Sequence, residues 1–399
     1  MKNKIIDQWM LLLLAVLLTA CGDDKEGVSS DEDCYLDIYV YAPDRPIVTR
    51  ADVGMIEQRT AAESEVKSLQ IWVFKHSDGS KVGYLGADDT SQAETPNLTY
   101  LNESGQQVYR MKVAKAFADA PEAVDVYVVA NAASCGLTLT TSTIRSELDA
   151  AMIGTNYFGT TTLVSAVPDN GLPMSAVAKS QPIHGSFPAL RIGSEEKMTT
   201  LQLTRAVSKL RFVLCQKKDQ NVSKRLVSID EISLDANQIP SQSYLIPRES
   251  YSYTYSHAAI SYESVAKGDI PKVIDPLAYA YETQEAQEYE NLINKAISGE
   301  QKANEGDDNL MELGLTYFRE SDKQLTGTIK YTYSNNGVNE PQDTATFSMA
   351  APGDFLRNHS WIVYIYYMDS KIYTLTVTNI GMKSWVTDPL QDTKTVYNW

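Results

Sequence analysis

The sequence is poor in the residues that build catalytic, metal and disulfide sites. Its 399 residues include only four histidines and four cysteines, and none of them has the spacing of a zinc site or of a paired redox motif. It also contains no Gly-x-Ser-x-Gly elbow, no HExxH pair, no phosphate-binding loop and no dinucleotide fingerprint. We therefore predict neither an enzyme active site nor a bound metal or cofactor.

Positive charge is also scarce. Lysine and arginine total 35 against 51 aspartates and glutamates, which gives a formal net charge of −16. Without a basic cluster that could follow phosphates, the composition argues against a nucleic-acid partner. The length exceeds that of one usual domain of roughly 100 to 200 residues, so two domains are expected.

The first 20 residues have the pattern of an export signal. Lys2 and Lys4 precede an apolar run at 9–20 that is too short to span a bilayer of ~20 helical residues. The run ends in Leu-Thr-Ala-Cys, which resembles a bacterial lipobox and predicts lipidation of Cys21 and anchoring in the outer membrane. An ordinary signal followed by a chance cysteine is the alternative interpretation.

The segment 21–50 contains an alternating stretch that predicts a strand with one apolar face. The apolar positions of this stretch are Leu36, Ile38, Val40 and Ala42. Prolines then end the strand, and Arg50 is followed by the small residue Ala51 in a segment that a protease could reach. Either Arg50 is a cleavage site, which makes the strand removable, or it is a solvated arginine in a linker.

The rest of the chain predicts an all-β protein with a few short helices. Two β-sandwiches are expected in tandem, at 51–195 and 196–399, because short strands recur at intervals of roughly ten residues without strand-helix alternation. The predicted strands are 66–74, 81–85, 107–113, 123–130, 198–216, 227–234, 313–319, 324–333, 344–350, 361–368 and 371–377. The predicted helices are 143–152 and a longer one from about 275 to 297, and 154–193 is interpreted as a Gly-, Pro- and Ser-rich connection.

Several of these stretches together resemble the fimbrillins, the lipoprotein-derived subunits of type V pili in anaerobic Gram-negative bacteria. The resemblance is carried by the lipobox, the strand followed by Val-Thr-Arg, and three apolar stretches, which are VKSLQIWVF at 66–74, LTRAVSKLRFVL at 203–214 and RNHSWIVYIYY at 357–367. It implies two transthyretin-like antiparallel Greek-key sandwiches and a surface fimbria that serves adhesion or biofilm formation. It further implies that an arginine-specific protease cuts after Arg50, and that other fimbrial subunits fill the place of the lost strand.

The resemblance places a donor strand in the segment 386–399. This segment alternates only near Val396, Tyr397 and Trp399 and departs from an aliphatic donor, so a tip or anchor subunit is an alternative to a repeating stalk subunit. Asp-Thr-Ala around Thr344 resembles the short O-glycosylation motif of these bacteria.

Two other functions compete with the fimbrial interpretation. A permanently anchored surface lipoprotein could use the tyrosine-rich segment 241–262 to hold a glycan or a host protein, because aromatic faces stack on sugars. A surface hydrolase is the weakest alternative, since no nucleophile, base and orienting group can be named.

Overall fold

A computed structural model describes most of the chain. The described residues are 33–41, 61–86, 106–159, 164–186, 188–217, 225–248, 253–255, 260–261, 280–281, 311–335, 337–349, 355–368 and 371–379.

Eleven strands belong to the first half of the fold. They are β1 (Cys34–Tyr41), β2 (Leu69–Lys75), β3 (Lys81–Leu85), β4 (Gln106–Val113), β5 (Val124–Ala130), β6 (Met152–Ile153), β7 (Met174–Gln181), β8 (Ile183–Ser186), β9 (Ala189–Ile192), β10 (Thr200–Gln202) and β11 (Thr204–Arg205). Two short α-helices, α1 (Lys115–Asp119) and α2 (Arg145–Ala150), and two 3-10 helices, Ala61–Ser64 and Ala132–Cys135, connect them.

Ten of these strands form two five-stranded sheets, and β6 pairs instead with Ser243–Tyr244 of the second half. In sheet 1, β1 lies between β4 on one side and β9 and β10 on the other, with β8 beyond β9. Sheet 2 has the order β11-β7-β5-β2-β3. The buried side chains of both sheets form one apolar cluster, which is the packing of a β-sandwich.

Eleven further strands form the second half. They are β12 (Val207–Lys217), β13 (Arg225–Leu234), β14 (Ser243–Tyr244), β15 (Ile260–Ser261), β16 (Ala280–Tyr281), β17 (Met311–Arg319), β18 (Leu325–Asn335), β19 (Val338–Asn339), β20 (Asp343–Met349), β21 (Ser360–Met368) and β22 (Lys371–Asn379). Sheet 3 has the order β16-β12-β21-β22, with β17 also paired to β12, and sheet 4 has the order β15-β13-β18-β19, with β20 also paired to β18. A second apolar cluster lies within this half.

The predicted all-β architecture is confirmed. Most predicted strands agree with the structure to within a few residues, and the short helix predicted at 143–152 corresponds to α2. Sheets 1 and 3 are mixed rather than purely antiparallel, because β1 runs parallel to β9 and β10 and β12 runs parallel to β16 and β21.

Two predictions of local structure were wrong. The stretch 154–193, in which no strand was predicted, contains β7, β8 and β9. Their small and polar residues obscure the apolar alternation on which the prediction relied. The single strand predicted at 198–216 is three strands, since β10 pairs with β1, β11 with β7, and β12 with strands of sheet 3. The first two sheets therefore extend past the boundary predicted at 195.

The longer predicted helix falls mostly outside the described residues. Within it the structure describes only Ala280–Tyr281, which form a short strand beside β12 and not a helical turn.

Buried polar contacts join the two halves. The carboxylate of Glu63 from the first half lies 2.7 Å from the ammonium of Lys209 and accepts a 2.5 Å hydrogen bond from the hydroxyl of Tyr317. Arg205 donates to the carbonyl of Glu63 at 2.7 Å and to the hydroxyl of Ser64 at 3.0 Å. Because Lys209 and Tyr317 belong to sheet 3, these contacts hold the first sandwich against the second.

A second ion pair at this junction is nearly dry. The guanidinium of Arg357 contacts both carboxylate oxygens of Glu320, and their side chains are 8% and 2% exposed. Arg357 also donates to the carbonyl of Leu245 at 2.8 Å, and Tyr253 donates to Glu320 at 2.7 Å. The pair is thus surrounded by partners that satisfy its remaining donors and acceptors.

We expect Arg357→Ala to destabilise the protein by about 3 to 5 kcal/mol, because it leaves the buried Glu320 carboxylate without its cation. Lys115→Ala, which removes an exposed ion pair with Asp119, should cost less than ~1 kcal/mol. Guanidinium unfolding curves of both variants measure the difference. Equal small losses would show that the buried pair does not hold the junction.

Candidate functional site

The first strand lies in the interior of sheet 1. Along its whole length β1 pairs antiparallel with β4, from Cys34 opposite Val113 to Tyr41 opposite Gln106. Its other side pairs in parallel with β9 over Tyr35–Asp37 and with β10 over Tyr39–Tyr41. Loss of β1 would therefore leave a slot with unpaired backbone groups on both walls.

The inner face of β1 forms part of the first core. Leu36, Ile38 and Val40 are fully buried, and Cys34 is 2% exposed. The predicted apolar alternation is thus found at three of its four positions, while Ala42 lies outside the described residues. Burial of the three aliphatic side chains at ~1.5 to 3 kcal/mol each amounts to a gross gain of roughly 5 to 9 kcal/mol.

The outer face of β1 is held to β4 by charge. Asp37 forms a two-point ion pair with Arg110, with oxygen to nitrogen distances of 2.8 and 2.9 Å. This contact holds the pKa of Arg110 above its ordinary value, and the guanidinium also lies 5.7 Å from the ring centroid of Tyr35. Two residues further along β4, Lys112 pairs with Asp33 and lowers the pKa of that carboxyl.

A second arginine lies level with Asp37 on the opposite wall. Arg191 of β9 is the register partner of Asp37, and partners in register point to the same face of a sheet. Its Nη2 donates to the carbonyl of Glu195 at 3.1 Å, while its Nε is buried and has no hydrogen-bond partner within the described part of the chain. His184 of β8 continues the same row beyond Arg191.

Sequence reasoning missed both arginines of this row. Arg110 was visible as a charged outward position in the strand predicted at 107–113, but nothing in the sequence shows which strand lies beside it. Arg191 fell within the stretch interpreted as a connection, so its strand was not predicted.

Most of the other predicted site residues lie outside the described residues. These are Cys21, Arg50, Ala51, Val396, Tyr397 and Trp399, so their roles stay predictions. Thr344 is described and lies exposed on β20.

The tyrosine-rich segment is engaged within the protein where it is described. Tyr253 and Tyr255 donate to the carboxylates of Glu320 and Asp322, and burial raises the pKa of Tyr255 to about 12. Tyr244 is covered by Arg248, whose guanidinium lies 3.7 Å from the ring centroid. These three tyrosines are therefore engaged within the protein and do not form an open stacking platform.

Other parts of the described chain offer less. A cavity of about 300 Å³ beside β13 and β18 contains the carboxylate of Asp230, but Thr332 and Gln342 already donate to it at 2.7 and 2.8 Å. In the described ranges, acidic, histidine and cysteine side chains form no group that could hold a metal ion. No described helix is long and apolar enough to cross a membrane.

The family comparison concerns the chain immediately after β1. Residues 48–189 match the family model of the major fimbrial subunit protein (FimA). This segment is similar to that family, and the match covers less than half of the chain. The predicted resemblance to fimbrillins is thereby confirmed for 48–189, and the matched FimA segment runs from β2 to the start of β9 and leaves β1 outside.

Solved structures align with most of the chain, but at low sequence identity and with TM-scores below 0.5. A protein from Parabacteroides distasonis ATCC 8503 assigned to cell adhesion has a TM-score of 0.49 and 13% identity, with 86% of this chain and 96% of that chain covered. The tip fimbrial protein Mfa3 from Porphyromonas gingivalis, with C-terminal truncation, has a TM-score of 0.43 and 14% identity, with 87% of this chain and 99% of that chain covered. No curated protein sequence matches the chain.

The two faces of β1 should respond differently to substitution. We expect Ile38→Ala to lower the free energy of unfolding of the first sandwich by about 2 to 5 kcal/mol, because it leaves a cavity in the core. Tyr39→Ala, on the half-buried outer face, should cost less than about 1 kcal/mol. Denaturant unfolding of the two variants tests this, and losses of equal size would contradict the assignment of the inner face.

Proposed function

We propose that this chain is the precursor of a cell-surface fimbrial subunit, in which β1 is a temporary occupant of a slot that another subunit later fills. The observation that carries this proposal is the position of β1, which is an interior strand of sheet 1 and yet lies outside the segment 48–189 that is similar to the FimA family. The chain reaches the rest of the sandwich from β1 only through the linker that contains Arg50.

Cleavage after Arg50 is the step that makes β1 removable. An arginine-specific protease cuts the Arg50–Ala51 bond, and β1 then leaves together with the lipid on Cys21. Until that step the lipid holds the precursor in the outer membrane. The cut removes the covalent link but none of the noncovalent contacts, so release of β1 is driven by exchange for a strand of another subunit.

The vacated slot would be a strong binding site for an extended segment. Eight residues of β1 at ~3.4 Å each correspond to a slot of roughly 27 Å, with unpaired amide and carbonyl groups on both walls and an open apolar stripe. Each subunit that fills one slot and offers its own makes a head-to-tail contact, and such contacts generate a filament. Adhesion and biofilm formation are the functions that such a filament serves.

The sequence of 386–399 favours a place at the tip over a place in the stalk. A donor strand needs alternating apolar side chains to fill the inner face of the slot, and this segment offers only Tyr397 and Trp399 at alternating positions. A subunit that accepts a strand and donates none terminates a filament. An anchor subunit would retain the lipid, which is at odds with a cleavable Arg50.

Neither catalysis nor capture of a glycan is part of this proposal. The family that 48–189 resembles is a structural one, and the described tyrosines of the rival binding segment are engaged internally. A host protein or glycan would then be contacted by the assembled fimbria through a surface outside these contacts.

The test is the amino terminus and lipid status of the protein on intact cells, measured by mass spectrometry of surface material. We expect the assembled form to begin at Ala51 and to carry no lipid. The Arg50→Ala protein should keep its lipid and should be absent from high-mass polymer. Arg45→Ala is the matched control, because Arg45 is followed by Pro46, which makes that bond a poor protease site. A lipidated Cys21 on the assembled wild-type protein would overturn the proposal.

A further inference from the structure

We propose that the slot selects a strand with a carboxylate at the level of Asp37, supplied by a second protein and not by the segment 386–399 of another copy. This inference rests on the proposed function and adds the chemistry of the partner. It predicts an incoming strand with apolar side chains facing the core and an aspartate or glutamate at the centre of its outer face.

The charge row across sheet 1 carries the inference. Arg110 on β4 and Arg191 on β9 are the register partners of Asp37 on its two sides. The sequence of charges across three neighbouring strands is therefore cation, anion, cation. Asp37 is the one acid in this row of three residues. Adjacent strands are ~4.8 Å apart, so each arginine is close to its carboxylate along the row.

Removal of β1 would leave a pair of arginines on opposite walls of the slot. The two-point contact of Arg110 to Asp37 would be lost, and Arg191 already has a buried Nε without a partner among the described residues. Two guanidinium groups would then face the slot from opposite walls at the same level. A strand with a neutral residue there leaves both guanidinium groups without an anionic partner, and a strand with a lysine adds a third positive charge.

Lys112 extends the positive face of β4 by one outward position. In the precursor it pairs with Asp33, which would depart with β1. Two cations of β4 therefore lose their acids in the same step, and the slot would be bordered by Arg110, Lys112 and Arg191. Charge complementarity thus identifies the occupant as an acidic, amphipathic strand.

The segment 386–399 does not have this pattern. Its two acids are Asp388 and Asp392. If Asp388 is level with Asp37, the neighbouring inward positions are Thr387 and Pro389, and proline also lacks the amide that a ladder needs.

The other registers of this segment fail as well. If Asp392 is level with Asp37, Gln391 and Thr393 face the core. If Tyr397 and Trp399 take the inward positions of Ile38 and Val40, Val396 is level with Asp37. Asp392 is then outward at the level of Asp33, so no acid is level with the arginines. The partner is therefore a different protein, whose strand combines apolar inward residues with a central acid.

The experiment measures peptide binding to the slot. The full chain is cleaved at Arg50 with an arginine-specific protease, and the binding of fluorescent peptides is followed by anisotropy. The peptides are residues 33–42, the same peptide with Asp37→Asn, the same with Asp37→Lys, and residues 386–399. We expect the first peptide to bind roughly tenfold more tightly than the Asp37→Lys peptide at low salt, because like charges meet in the latter, with a smaller ratio in 1 M salt.

Charge reversal in the protein provides the decisive comparison. In Arg110→Glu the preference should shift toward the Asp37→Lys peptide. The control is Lys330→Glu on β18 of sheet 4, which lies in the second half and should leave the preference as in the wild type. If Arg110→Glu weakens the precursor by opposing its own Asp37, the combined variant Arg110→Glu and Asp37→Lys restores the ion pair with reversed sign and should show the same shifted preference.

The outcomes separate the two proposals. Equal binding of the three 33–42 peptides, or tighter binding of 386–399, would overturn acid selection and leave strand exchange intact. Failure of every peptide to bind after complete cleavage would overturn strand exchange, and acid selection with it.

Discussion

The backbone pairing of β1 is the constraint on which the rest of the first sandwich depends. An interior strand satisfies amide and carbonyl groups on both neighbours and fills the core between them, so no other part of the sandwich can take its place without rearrangement. β1 meets β4 along eight residues and meets β9 and β10 on the other side. The sandwich is complete only while something occupies this position.

The second sandwich contains a strand in the same setting. β12 pairs antiparallel with β17 and parallel with β21, as β1 does with β4 and with β9 and β10. β12, however, follows directly from β11 and is anchored at the junction through Arg205 and Lys209. One fold thus contains a fixed central strand and a central strand whose covalent link to its sandwich passes through Arg50.

The sequence was informative where one face of a strand is apolar and the other polar. The inner face of β1 was predicted from that alternation, and the strands β2 and β3 and most strands of sheets 3 and 4 were also predicted from the sequence. Strand partners were not predictable, because alternation states which face is buried and not which strand lies alongside. The pairing of Asp37 with Arg110 and the register of Arg191 therefore required the structure, and so did the division of 198–216 among three sheets.

The most direct test of the central claim is amide hydrogen exchange in β4, measured in the precursor and after cleavage at Arg50. The cleaved protein is measured once without peptide and once with the 33–42 peptide. We predict slow exchange in the precursor, fast exchange in β4 once β1 has left, and slow exchange again with the peptide, because the same amides lose and regain their partners. The amides of β17, which border the fixed strand β12, should stay slow throughout. Unchanged slow exchange in β4 after complete cleavage and removal of the released fragment would contradict the account, since it would mean that sheet 1 does not depend on β1.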